Sequence, residues 1–260
     1  MIPESARFIT SFGMLTVVGE ETKNWVKSES LVSDVIPLGT TPKETLIRDL
    51  MILWSDFDRE LKSVPFIHRM ERGRITLEDY SQLLLNLRQQ VMEGARWISR
   101  AASNFSVDNF GLRSLFTLHS TEEHRDFMMI EKDYMSIGGK EEEILSAEKN
   151  IGSEALNAWM FHSANQENPF PLLGAMFIIE GLGRHKAAGW GKMIMDQLGL
   201  EEKQVSFLLY HGKNDDHHMD HFFAALDFLD LNETTMKKVL KTAKVTARLY
   251  RLQLEEIGNK

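Results

Sequence analysis

From Pro42 onward, apolar residues return every three or four positions in one segment after another, and that rhythm restricts the chain to helices packed on helices. In 42–62 the stripe is Leu46, Leu50, Ile52, Leu53, Phe57 and Leu61, with Pro42 suited to a first turn. Arg72-Gly73-Arg74 reads as a turn, and Thr76 followed by Asp79 predicts a capping box that opens a helix to about residue 103. Further helices are expected over 108–136, 141–148, 153–165, 170–198, 203–211, 215–228 and 232–257, with Gly138-Gly139, Asn168-Pro169 and Leu231-Asn232 as punctuation. No strand ladder or internal repeat emerges. Short connections leave each amphipathic face to be covered by its neighbours, so residues 42–260 read as one all-α bundle. Residues 1–41, with a β-prone Leu15-Thr16-Val17-Val18 and a loop-like Leu38-Gly39-Thr40-Thr41, read as an irregular N-terminal arm.

Composition removes several functions. With 38 acidic against 30 basic residues and a formal charge of -8, there is no basic stripe to neutralise a phosphate backbone, so no nucleic-acid partner is expected. The chain has no cysteine, which rules out thiolate metal sites, iron–sulfur clusters and cysteine nucleophiles; any metal must be held by nitrogen and oxygen. The first residues carry no basic-then-apolar leader, and the longest apolar stretches fall far short of the roughly 20 residues that span a bilayer. A cytoplasmic protein with no membrane partner is the expectation, and exposed helix faces suit a homodimer.

The densest chemical signal lies at 210–221. Four of the nine histidines, His211, His217, His218 and His221, fall within eleven positions. His211, Asp215 and His218 are spaced by four and three, which on a continuous helix places two imidazoles and a carboxylate on one face, a set suited to iron, manganese or zinc. Gly212 and Asn214 are candidate helix breakers. The alternative is a solvated helix start, where Asp215 and Asp216 favour the macrodipole and the histidines are exposed.

Glu180 follows the apolar run Leu172–Ile179 and so is expected to be buried. A buried carboxylate that stays ionised needs a cation, and the choices are a metal or Arg184 one turn on. Gly181 and Gly183 suit close helix packing. In the third segment, Leu118-His119-Ser120-Thr121-Glu122-Glu123-His124-Arg125-Asp126, a single helical face holds His119, Glu123 and Asp126 beside Leu112, Leu115 and Ile130. Glu122, His124 and Arg125 fall on the solvent side, and Glu131 and Asp133 are read as solvated. The alternative for this segment is a surface helix laced by Glu–Arg pairs. Glu93 has Arg96 as a ready partner, and the lone histidines His68, His162 and His185 read as surface or satisfied core residues.

Taken together, Glu123, Glu180 and the H-x3-D-x2-H pattern of His211, Asp215 and His218 resemble, in chain order, the ligand segments of the heme-oxygenase-like di-iron oxidases. Pro65-Phe66-Ile67-His68-Arg69-Met70-Glu71-Arg72-Gly73-Arg74-Ile75-Thr76, ahead of a long helix, is similar to the opening of heme oxygenase and of thiaminase II-like proteins, and the likeness extends over roughly residues 45–230. It implies a single-domain heme-oxygenase-like multi-helix bundle with a central cavity. It further implies one or two iron ions on Glu123, Glu180, His211, Asp215 and His218, with O2 and a small-molecule substrate as reaction partners. The departures are informative. Heme oxygenase carries its axial histidine in the helix before the turn, where this chain has Asp56 and Asp58 but no histidine, so heme is not expected. The thiaminase II nucleophile is a cysteine, which is missing here. The di-iron relatives pair the first glutamate with a histidine one or two turns later, where Asp126 and Ile130 stand; Asp126 or His119 is left to supply that ligand. Other readings are a metal-free bundle that binds a ligand, a cofactorless oxidase of the same fold, and a zinc hydrolase, the last without an H-E-x-x-H pattern to support it.

Overall fold

The computed structural model describes residues 8–11, 14–17 and 41–258, with the backbone alone for the first two segments and for 214–217. The chain divides into two compact units, Met1–Thr45 and Leu46–Lys260. The first contains a hairpin: β1 (Phe8–Ser11) pairs antiparallel with β2 (Met14–Val17) in the register Phe8↔Val17 to Ser11↔Met14. The arm expected to be irregular thus carries a strand pair at its β-prone piece.

The second unit is all helix. Its elements are α1 (Pro42–Leu61, beginning in the first unit), α2 (Pro65–Glu71), α3 (Leu77–Asn104), α4 (Phe110–Glu123), α5 (Phe127–Ser136), α6 (Glu141–Ser146), α7 (Ile151–Ala164), α8 (Leu173–Leu182), α9 (Ala188–Leu198), α10 (Ser206–Leu226) and α11 (Glu233–Glu255). No helix among the described residues is long and apolar enough to cross a membrane. The α1 stripe buries Leu46, Leu50, Leu53, Phe57 and Leu61 as its period requires, while Ile52, two residues past Leu50 and off that stripe, is 38% exposed. The capping box forms: Thr76 Oγ1 accepts from the Asp79 amide at 3.1 Å, and Asp79 Oδ2 accepts from the Thr76 amide at 3.0 Å.

The centre of the bundle is α8, packed on α10 and α11. Leu172 through Ile178 are buried without interruption. Each large apolar side chain in that run contributes about 1.5–3 kcal/mol on burial, which together offsets the several kcal/mol it costs to desolvate the carboxylate that follows. Gly174 has no room for a side chain, since a Cβ there would strike the Val239 carbonyl of α11. The segment expected as one helix over 170–198 is a 3-10 turn, α8, a π turn over Gly183–Ala187 and α9.

Three further departures shape the site. The helix expected over 108–136 breaks after Glu123. Residues 124–126 form a turn in which the Asp126 amide bonds the Glu123 carbonyl at 3.3 Å and the Met129 amide bonds the Asp126 carbonyl at 3.0 Å. The turn contains no glycine or proline, and Asp126 keeps near-helical dihedrals (φ -66°, ψ -28°), so nothing in composition marks it. The two helices expected at 203–211 and 215–228 are instead one, α10. Gly212 does not interrupt it; a Cβ there would run into Ala188, so the glycine serves the close approach of α9. Asp133 is completely buried rather than solvated. It accepts hydrogen bonds from Ser206 Oγ at 2.6 Å and the Phe207 amide at 2.9 Å, and so satisfies the first turn of α10. Burial pushes its carboxyl up, against those two hydrogen bonds. Glu131 is also engaged, 2.7 Å from Arg88 Nε of α3.

Candidate metal centre

Three helices and one turn converge on a group of carboxylates and imidazoles beside α8. Helix α4 contributes His119, Glu122 and Glu123 from its last turns. The turn that ends it contributes Asp126, α8 contributes Glu180, and α10 contributes His211, His218 and His221. A continuous α10 puts His211 and His218, two turns apart, on one face. With Asp133 fixing its first turn, that face is held toward α4 and α8.

Glu180 is the hub. It is 5% exposed, and each oxygen meets an imidazole: Oε1 is 3.1 Å from His119 Nε2, and Oε2 is 3.0 Å from His218 Nδ1. Burial alone raises its pKa, but the charges and hydrogen bonds of His119 and His218 outweigh it and hold the carboxyl far below the usual range. Burial likewise disfavours the charged ring of His119. The Glu180 carboxylate overcomes this, through charge and hydrogen bond, and raises the imidazole's pKa.

Glu123 behaves oppositely. Its side chain is 15% exposed, and Oε1, sealed from solvent, lies 3.3 Å from His218 Nδ1 without hydrogen-bond geometry, because that proton is directed to Glu180. Burial first, then the charge of Glu180, push Glu123 up to about 7, with His119, His211 and His218 opposing. Two carboxylates around one set of imidazoles cannot both be charged cheaply, so the second is pushed toward its protonated form. On its other side, His211 Nε2 is 3.3 Å from Asp126 Oδ2, and the His211 ring packs against Phe207 at 4.4 Å between centroids.

Ligand-type atoms gather within 4.8 Å of one another in three groups: His119, Glu123 and His218; Glu123, Asp126 and His211; and His119, Glu122 and His221. The structure therefore brings together Glu123, Glu180, His211, His218, His119 and Asp126 from the sequence reading. The side chain of Asp215 lies outside the described residues, while its backbone is part of α10. Two residues were assigned elsewhere. Glu122, expected on the solvent side, lies 3.6 Å from His221 Nδ1, a histidine outside the H-x3-D-x2-H pattern. The signal for His221 was its place three residues after His218 on the same helix face. Glu93 pairs with Arg96 and Lys149, and His68 and His162 are exposed. His185 packs on the Trp54 ring.

A cavity of about 90 Å³ lies against this cluster, with Glu123, Glu180 and His211 in its wall. The rest of its lining is mainly apolar, including Leu83, Leu87 and Trp97 of α3, Ile179 of α8 and Trp190 of α9, and no lysine or arginine is among the described residues that line it. It has room for several water-sized groups in a row.

The fold matches solved structures over most of the chain. A domain of unknown function with a heme oxygenase-like fold from Shewanella denitrificans superimposes with a TM-score of 0.73 at 21% identity, covering 86% of this chain and 93% of that one. A TenA homologue from Pseudomonas syringae gives 0.65 at 12% identity, covering 82% and 90%. Heme oxygenase-1 from Synechocystis, in complex with heme, gives 0.60 at 13% identity, covering 82% and 92%. The all-α, heme oxygenase-like architecture implied by the sequence is therefore the observed one. No curated protein matches the sequence. The model of the iron-containing redox enzymes matches residues 97–251, more than half of the chain and every residue of the cluster described above, and the chain belongs to that family.

Proposed function

We propose that this protein is a non-heme iron oxidase that uses O2 to oxidise a small, largely apolar molecule held in the cavity beside Glu123. The observation that carries this reading is Glu123 Oε1, a carboxylate oxygen sealed from solvent that meets no hydrogen-bond donor among the described residues, placed among His119, His211 and His218. A buried acceptor in that position costs about 1–3 kcal/mol unless a proton or a cation meets it. The donor set is nitrogen and oxygen with no thiolate, which fits iron.

Glu123, Asp126 and His211 would hold one ion, and Glu180 and His218, with Glu123 shared, a second. Asp215, four residues after His211 on α10, completes the set that the sequence pattern implies. Asp126 stands where the resemblance places a histidine, so the first position has one imidazole fewer and one carboxylate more. Bound iron would supply one-electron chemistry toward O2.

The chain's own groups do the rest. His119 donates Nε2–H to Glu180 Oε1 and fixes that carboxylate's orientation. Asp133 anchors the turn of α10 that precedes His211. The apolar walls at Leu83, Leu87, Ile179 and Trp190 exclude water from the reacting centre and set the substrate's character. A cavity wall with two carboxylates and no lysine or arginine favours a neutral or cationic molecule over an anion that does not reach the metal. Heme has no part in this reading, since α1 carries no histidine.

The test is oxygen uptake by protein supplied with Fe(II) and ascorbate, alongside elemental iron on protein purified without chelating resin. Iron retention with O2 consumption above free Fe(II), both lost in Glu180→Ala, supports the reading. A folded wild-type protein that holds no iron would instead favour a metal-free bundle that binds an apolar ligand.

A further inference from the structure

The pair of positions above leaves part of the cluster unused. Glu122 and His221 take no part in it, and His119 uses only Nε2, against Glu180 Oε1. A carboxylate oxygen can only accept, so Nε2 of His119 is the nitrogen committed to Glu180, and Nδ1 is the one left for another partner. His119 is 1% exposed, and Nδ1 meets no hydrogen-bond partner among the described residues.

Glu122 Oε2 is likewise sealed from solvent without a hydrogen bond among the described residues. It stands 3.6 Å from His221 Nδ1 and 3.7 Å from His218 Nε2, too far for either to be a good hydrogen bond. The Glu122–His221 separation matches two ligands on a common ion: donors about 2.1 Å from a tetrahedral zinc stand about 3.4 Å apart. Ligand-type atoms of His119, Glu122 and His221 all lie within 4.8 Å of one another. Two of the three residues sit on the solvent side of the cluster, with side chains 28% (Glu122) and 13% (His221) exposed, against 7% for Glu180.

We propose that His119, Glu122 and His221 form a third metal position, distinct from the two at Glu123, that takes a divalent ion such as zinc(II) through two imidazole nitrogens and one carboxylate. Water would complete the coordination from the solvent side. One cation there would meet His119 Nδ1 and the Glu122 oxygen together.

The experiment is zinc content per chain on metal-stripped full-length protein after incubation with Zn(II) and gel filtration, with circular dichroism as a check of fold. His221→Ala and Glu122→Gln are each expected to carry one equivalent fewer than wild type. His211→Ala is expected to lose a different equivalent, so that His211→Ala/His221→Ala loses two. Wild-type zinc content in both His221→Ala and Glu122→Gln would overturn the proposal, leaving Glu122 as an orienting partner of His218. A double variant no lower than His211→Ala alone would overturn it as well. Loss of the Glu122–His221 equivalent alone would leave the iron reading untouched, whereas a folded wild type that binds no metal would overturn both.

Discussion

The Glu180 side and the Glu123 side of the cluster share imidazoles but are finished to different degrees. Glu180 is complete without metal: both oxygens are matched by imidazole nitrogens at 3.1 and 3.0 Å, and its charge is stabilised in place. Glu123, on the cavity wall, has an oxygen that meets no donor among the described residues and a pKa raised to about 7. The same fold thus builds one half of the site as a rigid hydrogen-bonded frame and leaves the other half waiting for a proton or a cation. A frame fixes geometry before metal arrives; an unsatisfied partner supplies the affinity.

The comparison breaks most visibly at Glu180. Glu180→Ala leaves His119 and His218 buried beside a void with no acceptor, and breaking a buried charged pair from one side costs roughly 3–5 kcal/mol. Chemical denaturation of the metal-free protein is expected to show that loss. A change below about 1 kcal/mol would mean that the frame carries no stability.

Glu123 should respond with the opposite sign in the metal-free protein. Its folded pKa of about 7 lies above the ordinary glutamate value of 4.5, so its favourable contribution is complete below about pH 4.5 and is lost as pH rises through 7. A shift from 4.5 to about 7 corresponds to roughly 3 kcal/mol. Glu123→Gln, which has no proton to lose, is therefore expected to gain on the metal-free wild type by up to roughly 3 kcal/mol between pH 5 and 8, while losing metal affinity. Parallel pH profiles for the two proteins would contradict this.

Asp133 tests how α10 is held. Asp133→Ala removes the acceptor of the Ser206 hydroxyl and the Phe207 amide, and about 1–3 kcal/mol of stability should go with it. Metal affinity should weaken in the same variant, since His211 follows one turn after Phe207. The smallest effect is expected at Gly94, a helical cavity-lining glycine whose added Cβ would meet nothing within 4 Å. Gly94→Ala should stabilise by about 0.5–1 kcal/mol through helix propensity alone and leave iron content unchanged.

Helix periodicity carried the fold into view, because apolar stripes and a capping box are local consequences of sequence. The site was legible where the same period applied: Glu180 behind an unbroken apolar run, and His211 with His218 on one helix face. It was obscured where tertiary contacts decide. The turn at 124–126 has helix-compatible residues and no breaker, so nothing local announces that α4 ends at Glu123 and that Asp126 swings toward His211. Gly212 looked like an interruption, since only the approach of Ala188 explains why a glycine sits in mid-helix. Asp133 looked solvated for the same reason: the amides it satisfies belong to a helix more than seventy residues away in sequence. Glu122 reads as solvent-facing from its position on α4, and its nearness to His221 follows from the packing of α10, which the local sequence does not show.

The most direct test of the central claim is an anaerobic Fe(II) titration of the metal-stripped protein, read as iron bound per chain in wild type, Glu123→Gln and Glu180→Ala. The account predicts at least two tight equivalents in wild type, at least a tenfold loss of affinity in Glu123→Gln, and loss of most bound iron in Glu180→Ala. Wild-type iron binding in both variants, each shown to be folded, would contradict it.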